Sequence, residues 1–365
     1  MDEQRQDEQL RPLREQIDTL DAQILALLNQ RAQVAHQVGE VKKEFNAPVF
    51  RPERELQVIA RVAAANQGPL LADGIAAIWR EIMSACRALE KRCVVACLGP
   101  AGTYSEQAVF SYFGRSVEVL ACPTIDEVFR ATESGAADFG VIPVENSSEG
   151  AVSRTLDLLL QTPLKISGEV ALPIHHTLYT QSGEMTQVTT ICAHSQALAQ
   201  CQRWLNQHYP QLARQSVASN AEAVRMAQDD PAIAGIAGDA AVTVYNVRAV
   251  ASHIQDDAHN KTRFLVVGHD ETGASGQNGH DQTSMILSVP NQPGAVVALL
   301  QPLADHGVSM TRLESRPARQ GAWEYYFYVD IEGHQQDANV MQALDQLQQQ
   351  AAFMKVLGSY PKSAG

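Results

Sequence analysis

The hydrophobic rhythm of this chain changes near residue 92. Before it, Leu13, Ile17, Leu20, Ile24, Leu27, Arg31, Val34, Val38, Val41 and Phe45 recur at alternating steps of four and three. That is the spacing of one helix face meeting another helix. It predicts one continuous helix over about residues 10–44, ~50 Å long at 1.5 Å per residue. Two shorter helices follow. One begins at Pro52, a favoured first-turn residue, and carries Arg54 and Glu55. The other runs from about Asp73 to Arg92, with Trp79, Met83 and Cys86 on its apolar face and Glu90 one turn beyond. Two short helices cannot cover so long a seam, so the pattern calls for a second chain in an intertwined dimer. From Cys93, β-branched runs such as VVACLG, FGVIPVE, VTTICAH and TRFLVVG alternate with helical stretches as far as Gly268, the signature of an α/β region. Residues 269–282 hold almost nothing apolar and read as a flexible linker. Strand, helix, two strands, helix and strand follow over 283–365, the βαββαβ order of a ferredoxin-like sandwich. The expected division is therefore 1–92, 93–268, linker and 283–365.

Composition narrows the functional classes. A net charge of −13 argues against nucleic acid or an anionic membrane as partner, and any cations that bind an anionic substrate must be concentrated locally. The charged N-terminus and the lack of a long apolar run predict neither a signal peptide nor a membrane span, and hence a cytoplasmic protein. Six cysteines with no CxxC pair read as reduced thiols. No HExxH or His/Cys cluster suggests a metal.

Within the seam, Arg31 stands where a leucine is expected. Lys42, eleven residues on, lies on nearly the same face and ~16 Å along the axis, so two long side chains can lean together around a small dianion. Arg14 is ~25 Å from Arg31 and cannot serve that site within one chain; in an antiparallel dimer it approaches the other chain's site. In the central region, polar loops recur at strand ends. They present Thr103 and Ser105 in GPAGTYSEQA, Glu145, Asn146, Ser147 and Ser148 in PVENSSEGAV, His175, His176 and Thr177 in HHTLY, and His194, Ser195 and Gln196 in AHSQALAQC. Thr262, Arg263 and Phe264 begin an apolar strand in HNKTRFLVVG. Each loop taken alone is a polar helix cap; together they suggest one cleft.

LREQIDTLDAQILALLNQR, VGEVKK, PVFRPERE and IWREIMSACRALE resemble the all-helical chorismate mutases fused to prephenate dehydratase. The resemblance implies that Arg31, Lys42, Arg54, Glu55 and Glu90 line a mutase site that Arg14 enters from the partner subunit. Two positions depart from relatives: Arg51 replaces an acidic residue, and Glu90 replaces a glutamine. Glu90 raises a pH question, because only its protonated form can donate to the breaking ether oxygen. GPAGTYSEQA, PVENSSEGAV, HHTLY, HSQAL and KTRF resemble prephenate dehydratase, a two-lobed α/β fold with its site between the lobes. That likeness implies a cleft built from Thr262, Arg263, Phe264, Glu145, Asn146, Ser147, Thr103, Ser105, His175, Thr177, Ser195 and Gln196. NQPGAVVALL and RLESRPAR resemble the ligand motifs of an amino-acid-binding ACT domain, which implies L-phenylalanine held by Gly294, Ala295, Val296, Glu314, Ser315 and Arg316.

Both reactions suit such residues without cofactor or metal. The chorismate rearrangement needs only a held conformer and cations near the departing ether oxygen. Prephenate loses carbon dioxide and its ring hydroxyl, so Arg263 is the natural carboxylate partner. Thr262, Glu145 or a histidine could protonate the departing hydroxyl; the sequence does not choose. The expected protein is a homodimer or higher oligomer that converts chorismate to prephenate and then to phenylpyruvate, inhibited by phenylalanine. The alternatives are an arogenate-preferring dehydratase and a non-catalytic amino-acid sensor. The intact Arg/Lys/Glu set and the KTRF segment favour an enzyme.

Overall fold

The computed structural model describes residues 2–45, 47–276, 279–289, 292–318 and 325–363. Asn291, Arg319 and Trp323 of the predicted segments lie outside these. Two compact units form. One comprises residues 1–51, 58–92 and 114–117; the other comprises 52–57, 93–113 and 118–365.

In the first unit, α1 (Asp2–Glu44) is a single helix, longer at its start than the apolar pattern predicts. The polar residues ahead of Leu13 are good helix formers, and the helix tolerates Pro12 within them. It is followed by α2 (Pro52–Ala65) and α3 (Ala72–Glu90). α1 packs on α3 where Gly39 meets Glu90; a Cβ on Gly39 would stand 2.6 Å from Glu90 Cγ. The rest of the seam is bare: Leu13, Ile17, Leu20, Ile24, Leu27, Val34, Val38, Val41 and Phe45 are all exposed.

The second unit begins with lobe 1. Its elements are β1 (Val94–Leu98), α4 (Tyr104–Phe113), β2 (Glu118–Cys122), α5 (Ile125–Glu133), β3 (Phe139–Asn146), β4 (Gly150–Ala151), α6 (Ser153–Gln161) and β5 (Lys165–Pro173). Lobe 2 follows with β6 (Thr177–Thr180), β7 (Thr190–His194), α7 (Ser195–Gln200), α8 (Gln202–His208), β8 (Ala213–Val217), α9 (Asn220–Asp229), β9 (Ile233–Ala237) and β10 (Arg248–Ala251). The chain then returns to lobe 1 as β11 (Lys261–Gly268). The lobe sheets have the orders β2-β1-β3-β11-β5 and β10-β6-β9-β7-β8. β11 lies between β3 and β5, so the KTRF segment is central rather than at an edge.

The C-terminal part adds β12 (Asp281–Ser288), α10 (Ala295–Asp305), β13 (Met310–Pro317), β14 (Tyr325–Glu332), α11 (Ala338–Gln350) and β15 (Phe353–Pro361). Its sheet order β13-β14-β12-β15 is the ferredoxin-like arrangement expected from βαββαβ. β12 is buried along its whole length. Met285 and Leu287 face one core with α10 and α11, while Ile286, Tyr328, Leu357 and Tyr360 join the lobe 1 core.

Within the segment read as a flexible linker, the described residues 269–276 make anchoring contacts. His269 Nε2 lies 2.9 Å from the Thr132 carbonyl, and the buried Thr272 hydroxyl donates to the Ser167 carbonyl. Ser275 is buried and donates to Asp281, which already begins β12. Small hydroxyl residues look like linker by composition, yet they anchor a chain by hydrogen bonding to backbone. No described helix is long and apolar enough to cross a membrane.

Candidate functional sites

The helical site is built where α1 crosses α3. Arg31 Nη1 donates to the buried Cys86 Sγ at 3.0 Å. One turn further along α3, Glu90 Oε2 lies 3.8 Å from Lys42 Nζ. Lys42 also donates to the Val49 carbonyl at 3.0 Å. Glu90 Oε2 is buried and makes no hydrogen bond among the described residues, which costs desolvation that a polar ligand atom would recover. Three of the expected residues therefore come together along one side of the α1–α3 pair. Arg14 does not; it is exposed and paired with Asp7 at 2.8 Å. Arg54 and Glu55 belong to the first turns of α2, which pack with the second unit, and Arg54 donates to Gln57 at 3.4 Å.

In the second unit a buried amide network connects the lobes. Asn146 Nδ2 donates to Thr262 Oγ1 and to Asn260 Oδ1, each at 2.9 Å. Ser147 Oγ also donates to Asn260 Oδ1 at 3.4 Å. Asn260 Nδ2 donates to Gln200 Oε1 of lobe 2 at 3.1 Å, and the His176 Nε2–H donates to the same oxygen at 2.9 Å. Since that oxygen can only accept, the neutral His176 carries its lone pair on Nδ1, which is buried without a partner. Burial holds the His176 pKa below its ordinary value. Gln255 bonds His175 Nδ1 at 3.0 Å and accepts from the His176 backbone N–H.

Other expected cleft residues take different positions. Thr177 is buried and donates to Asp239 at 3.1 Å. Thr103 donates to the Leu98 carbonyl at 3.1 Å, and Ser105 is buried at the start of α4. Ser195 is exposed at the start of α7, and the neighbouring Gln196 N–H donates to His194 Nδ1. Phe264 is 2% exposed and serves as packing. Arg263 and Glu145 face away from the network. Arg263 Nε donates to Glu169 at 2.6 Å, Nη1 to Asp330 at 2.7 Å and Nη2 to the Tyr360 hydroxyl at 3.2 Å. Burial alone would lower the Arg263 pKa, but Tyr360, Asp330 and Glu169 together outweigh it and raise it. Glu145 accepts from Arg312 Nε at 2.8 Å. Arg263, expected as the carboxylate partner, is engaged here by a buried ion cluster. All six cysteines are free and buried, and burial pushes Cys97 and Cys201 up to about 12, so they are poor nucleophiles.

Sequence reasoning missed Asn260, Gln200, Gln255 and Asp239. Asn260 had a signal, since it directly precedes KTRF. Gln200 stands one helical turn after Gln196 on the same face of α7. Glu169, Asp330 and Tyr360 had none.

In the ferredoxin-like part, Gly294 (φ +80°) ends the turn into α10 in the left-handed region, and a Cβ there would meet open space. β13 alternates: Ser315 is exposed, whereas Arg312, Glu314 and Arg316 are half-buried and Arg316 pairs with Asp157 at 3.0 Å. Ser315 and Arg316 therefore point to opposite faces, and only one of them shares the exposed side of that strand.

Models of three families match the chain: chorismate mutase type II over residues 13–91, prephenate dehydratase over 95–272 and the ACT domain over 283–349. The bifunctional chorismate mutase/prephenate dehydratase of Neisseria gonorrhoeae is 49% identical, over 97% of this chain and 98% of that one. Its Pseudomonas aeruginosa counterpart is 44% identical, with 98% of each chain covered. Among solved structures, an Arthrobacter aurescens prephenate dehydratase in complex with L-Phe is similar, with 30% identity and a TM-score of 0.67. That match covers 73% of this chain and 89% of the other. GqqA, described as a quorum quenching acylase, is 27% identical with a TM-score of 0.68 over 74% of this chain and 98% of its own. The chain belongs to the bifunctional chorismate mutase/prephenate dehydratases and carries both enzymatic domains together with an ACT domain.

Proposed function

We propose that a second copy of the chain completes the mutase site, that the Asn146–Thr262 network drives dehydration, and that L-phenylalanine restrains that second step through the ACT domain. The mutase part rests on one observation: Arg31 and Lys42 meet Cys86 and Glu90 beside a seam whose apolar positions are all exposed. An antiparallel α1 pair covers that seam and brings Arg14 of the partner subunit to Arg31. The cations then hold the two carboxylates of chorismate in the reactive conformer. Lys42 meets the negative charge that grows on the ether oxygen as its C–O bond breaks and the new C–C bond forms.

In prephenate, the ring carboxylate leaves as carbon dioxide and its electron pair enters the ring. The ring expels hydroxide, which must take a proton to become water. Thr262 Oγ1 accepts from Asn146, so its own O–H is polarised and free to donate to the departing oxygen. The buried amides Asn260 and Gln200 fix Asn146 in that orientation. L-Phe accompanies the Arthrobacter relative, and in this chain the open turn at Gly294 beside the half-buried Ala295 and Val296 suits an amino acid's polar head and ring.

Purified protein given chorismate is expected to release prephenate and then phenylpyruvate, and phenylalanine should slow the second step more than the first. Gly294→Val and Ser315→Ala should each lose phenylalanine binding by calorimetry. Folded protein that forms neither product would overturn the reading. The GqqA likeness makes an acylase control assay worthwhile, because one fold can host unrelated chemistries.

A further inference from the structure

The cleft network and the ion cluster occupy opposite faces of the same two strands. β3 and β11 pair with Asn146 opposite Thr262 and Glu145 opposite Arg263. Adjacent strand residues point to opposite faces, so Asn146 and Thr262 face the amide network while Glu145 and Arg263 face the ACT sheet. A register shift between Arg263 and Phe264 marks the place; such irregularities re-aim side chains beside active sites.

The ACT sheet grips this far face. Arg312 of β13 holds Glu145 at 2.8 Å, and Asp330 of β14 holds Arg263 at 2.7 Å. The other Asp330 oxygen accepts from Ser284 at 2.5 Å, and Tyr360 of β15 takes the remaining Arg263 nitrogen. Two of the three Arg263 hydrogen bonds therefore come from the ACT domain, and Arg263 Nη1 also lies 4.0 Å from Glu145. A small cavity at this junction is lined by Arg263, Arg312, Ser284, Tyr328 and Asp330. Arg312 Nη2 is buried there without a hydrogen-bond partner among the described residues, so this grip has an unspent donor.

We infer that Arg312 and Asp330, both of the ACT domain, are positioning residues for the dehydration, setting through Glu145 and Arg263 where Asn146 and Thr262 stand. The inference rests on the proposed roles of Asn146 and Thr262. β13 carries Arg312 three residues before Ser315, so a ligand that shifts this strand moves Glu145 with it. With His269 and Thr272 fastened to lobe 1, this packed junction is the path by which an ACT ligand reaches the cleft.

The test uses the full chain and the variants Arg312→Gln, Arg312→Lys and Asp330→Asn. Dehydratase kcat and KM are measured with prephenate, mutase rate serves as an internal control, and thermal melting reports folding. Arg312→Gln should lower dehydratase kcat by about tenfold or more, since small misplacements of catalytic groups carry costs of that order. KM should change little, mutase should be unaffected, and Arg312→Lys should restore most of the rate. Phenylalanine should still bind Arg312→Gln by calorimetry but inhibit it less than the natural sequence. Asp330→Asn leaves Arg263 short of a counter-ion and is read only if it melts cooperatively; Arg312→Gln, whose partner Glu145 is partly exposed, decides the matter if it does not. A folded Arg312→Gln with unchanged kcat and unchanged inhibition overturns the inference. Thr262→Val separates the two levels: if it retains full activity, the cleft assignment falls, whereas an inactive Thr262→Val beside an unaffected Arg312→Gln refutes the positioning role alone.

Discussion

Arg31 and Arg263 each sit in a segment that marks a family, yet the structure uses them in opposite ways. Arg31 stands in a bare apolar seam and has a single soft partner, the Cys86 sulfur. Arg263 has every nitrogen taken, by Glu169, Asp330 and Tyr360. An arginine with spare donors can spend them on a substrate carboxylate; one that already bonds two carboxylates and a phenol has fewer left to offer and helps hold strands in place. A motif identifies the position of a cation, and only its surroundings say whether that charge is available.

The contrast is most sharply broken on the mutase side. Arg31→Ala and Arg14→Ala should each lower mutase kcat/KM by about a hundredfold to a thousandfold, the cost of removing one charge-stabilising donor, and spare the dehydratase. Mixing the two inactive variants in equal amounts should return about a quarter of the natural rate, because half the two-fold dimers are mixed and each has one intact site. No recovery after confirmed subunit exchange would sink the shared site. Next in size, Thr262→Val should cost dehydratase about a hundredfold with mutase intact, the usual worth of a positioned proton donor. Gly39→Val forces Glu90 away from Lys42 and should impair mutase alone, with about 1–3 kcal/mol of stability lost to overpacking. Chemical denaturation and both assays check it.

The smallest expected effects are those of pH. His176 is held below its ordinary pKa of 6.5 by burial. The unfolded chain therefore takes up this proton first as pH falls, so the stability is complete above about pH 6.5 and declines on acidification below it. Melting temperatures across that range should flatten in His176→Gln. If Glu90 donates to the ether oxygen, only its protonated form can do so, mutase rate falls with rising pH, and Glu90→Gln removes that dependence; an unchanged profile in Glu90→Gln would exclude it from the role.

Periodic features were the most legible in sequence. The seam of α1, the βαββαβ order and the polar loops at strand ends all follow from local spacing. Long-range charge pairing was not. Arg263 meets Asp330, Glu169 and Tyr360 across separations of 67, 94 and 97 residues, and none of these has a local pattern that points to the others. Composition also misled at 269–276. His269 and Thr272 look like linker residues, yet they reach the Thr132 and Ser167 carbonyls of lobe 1.

Mass action follows from the bare seam of α1. A site that needs two chains is populated in proportion to the fraction of chains paired, whereas the proposed dehydratase network draws its described contacts from one chain. At high concentration the protein would perform both steps. Well below the dimer dissociation constant the mutase step would fail first, and the chain would depend on prephenate that some other mutase had to supply. The balance between making the intermediate and using it would then be written into how much of the protein is present.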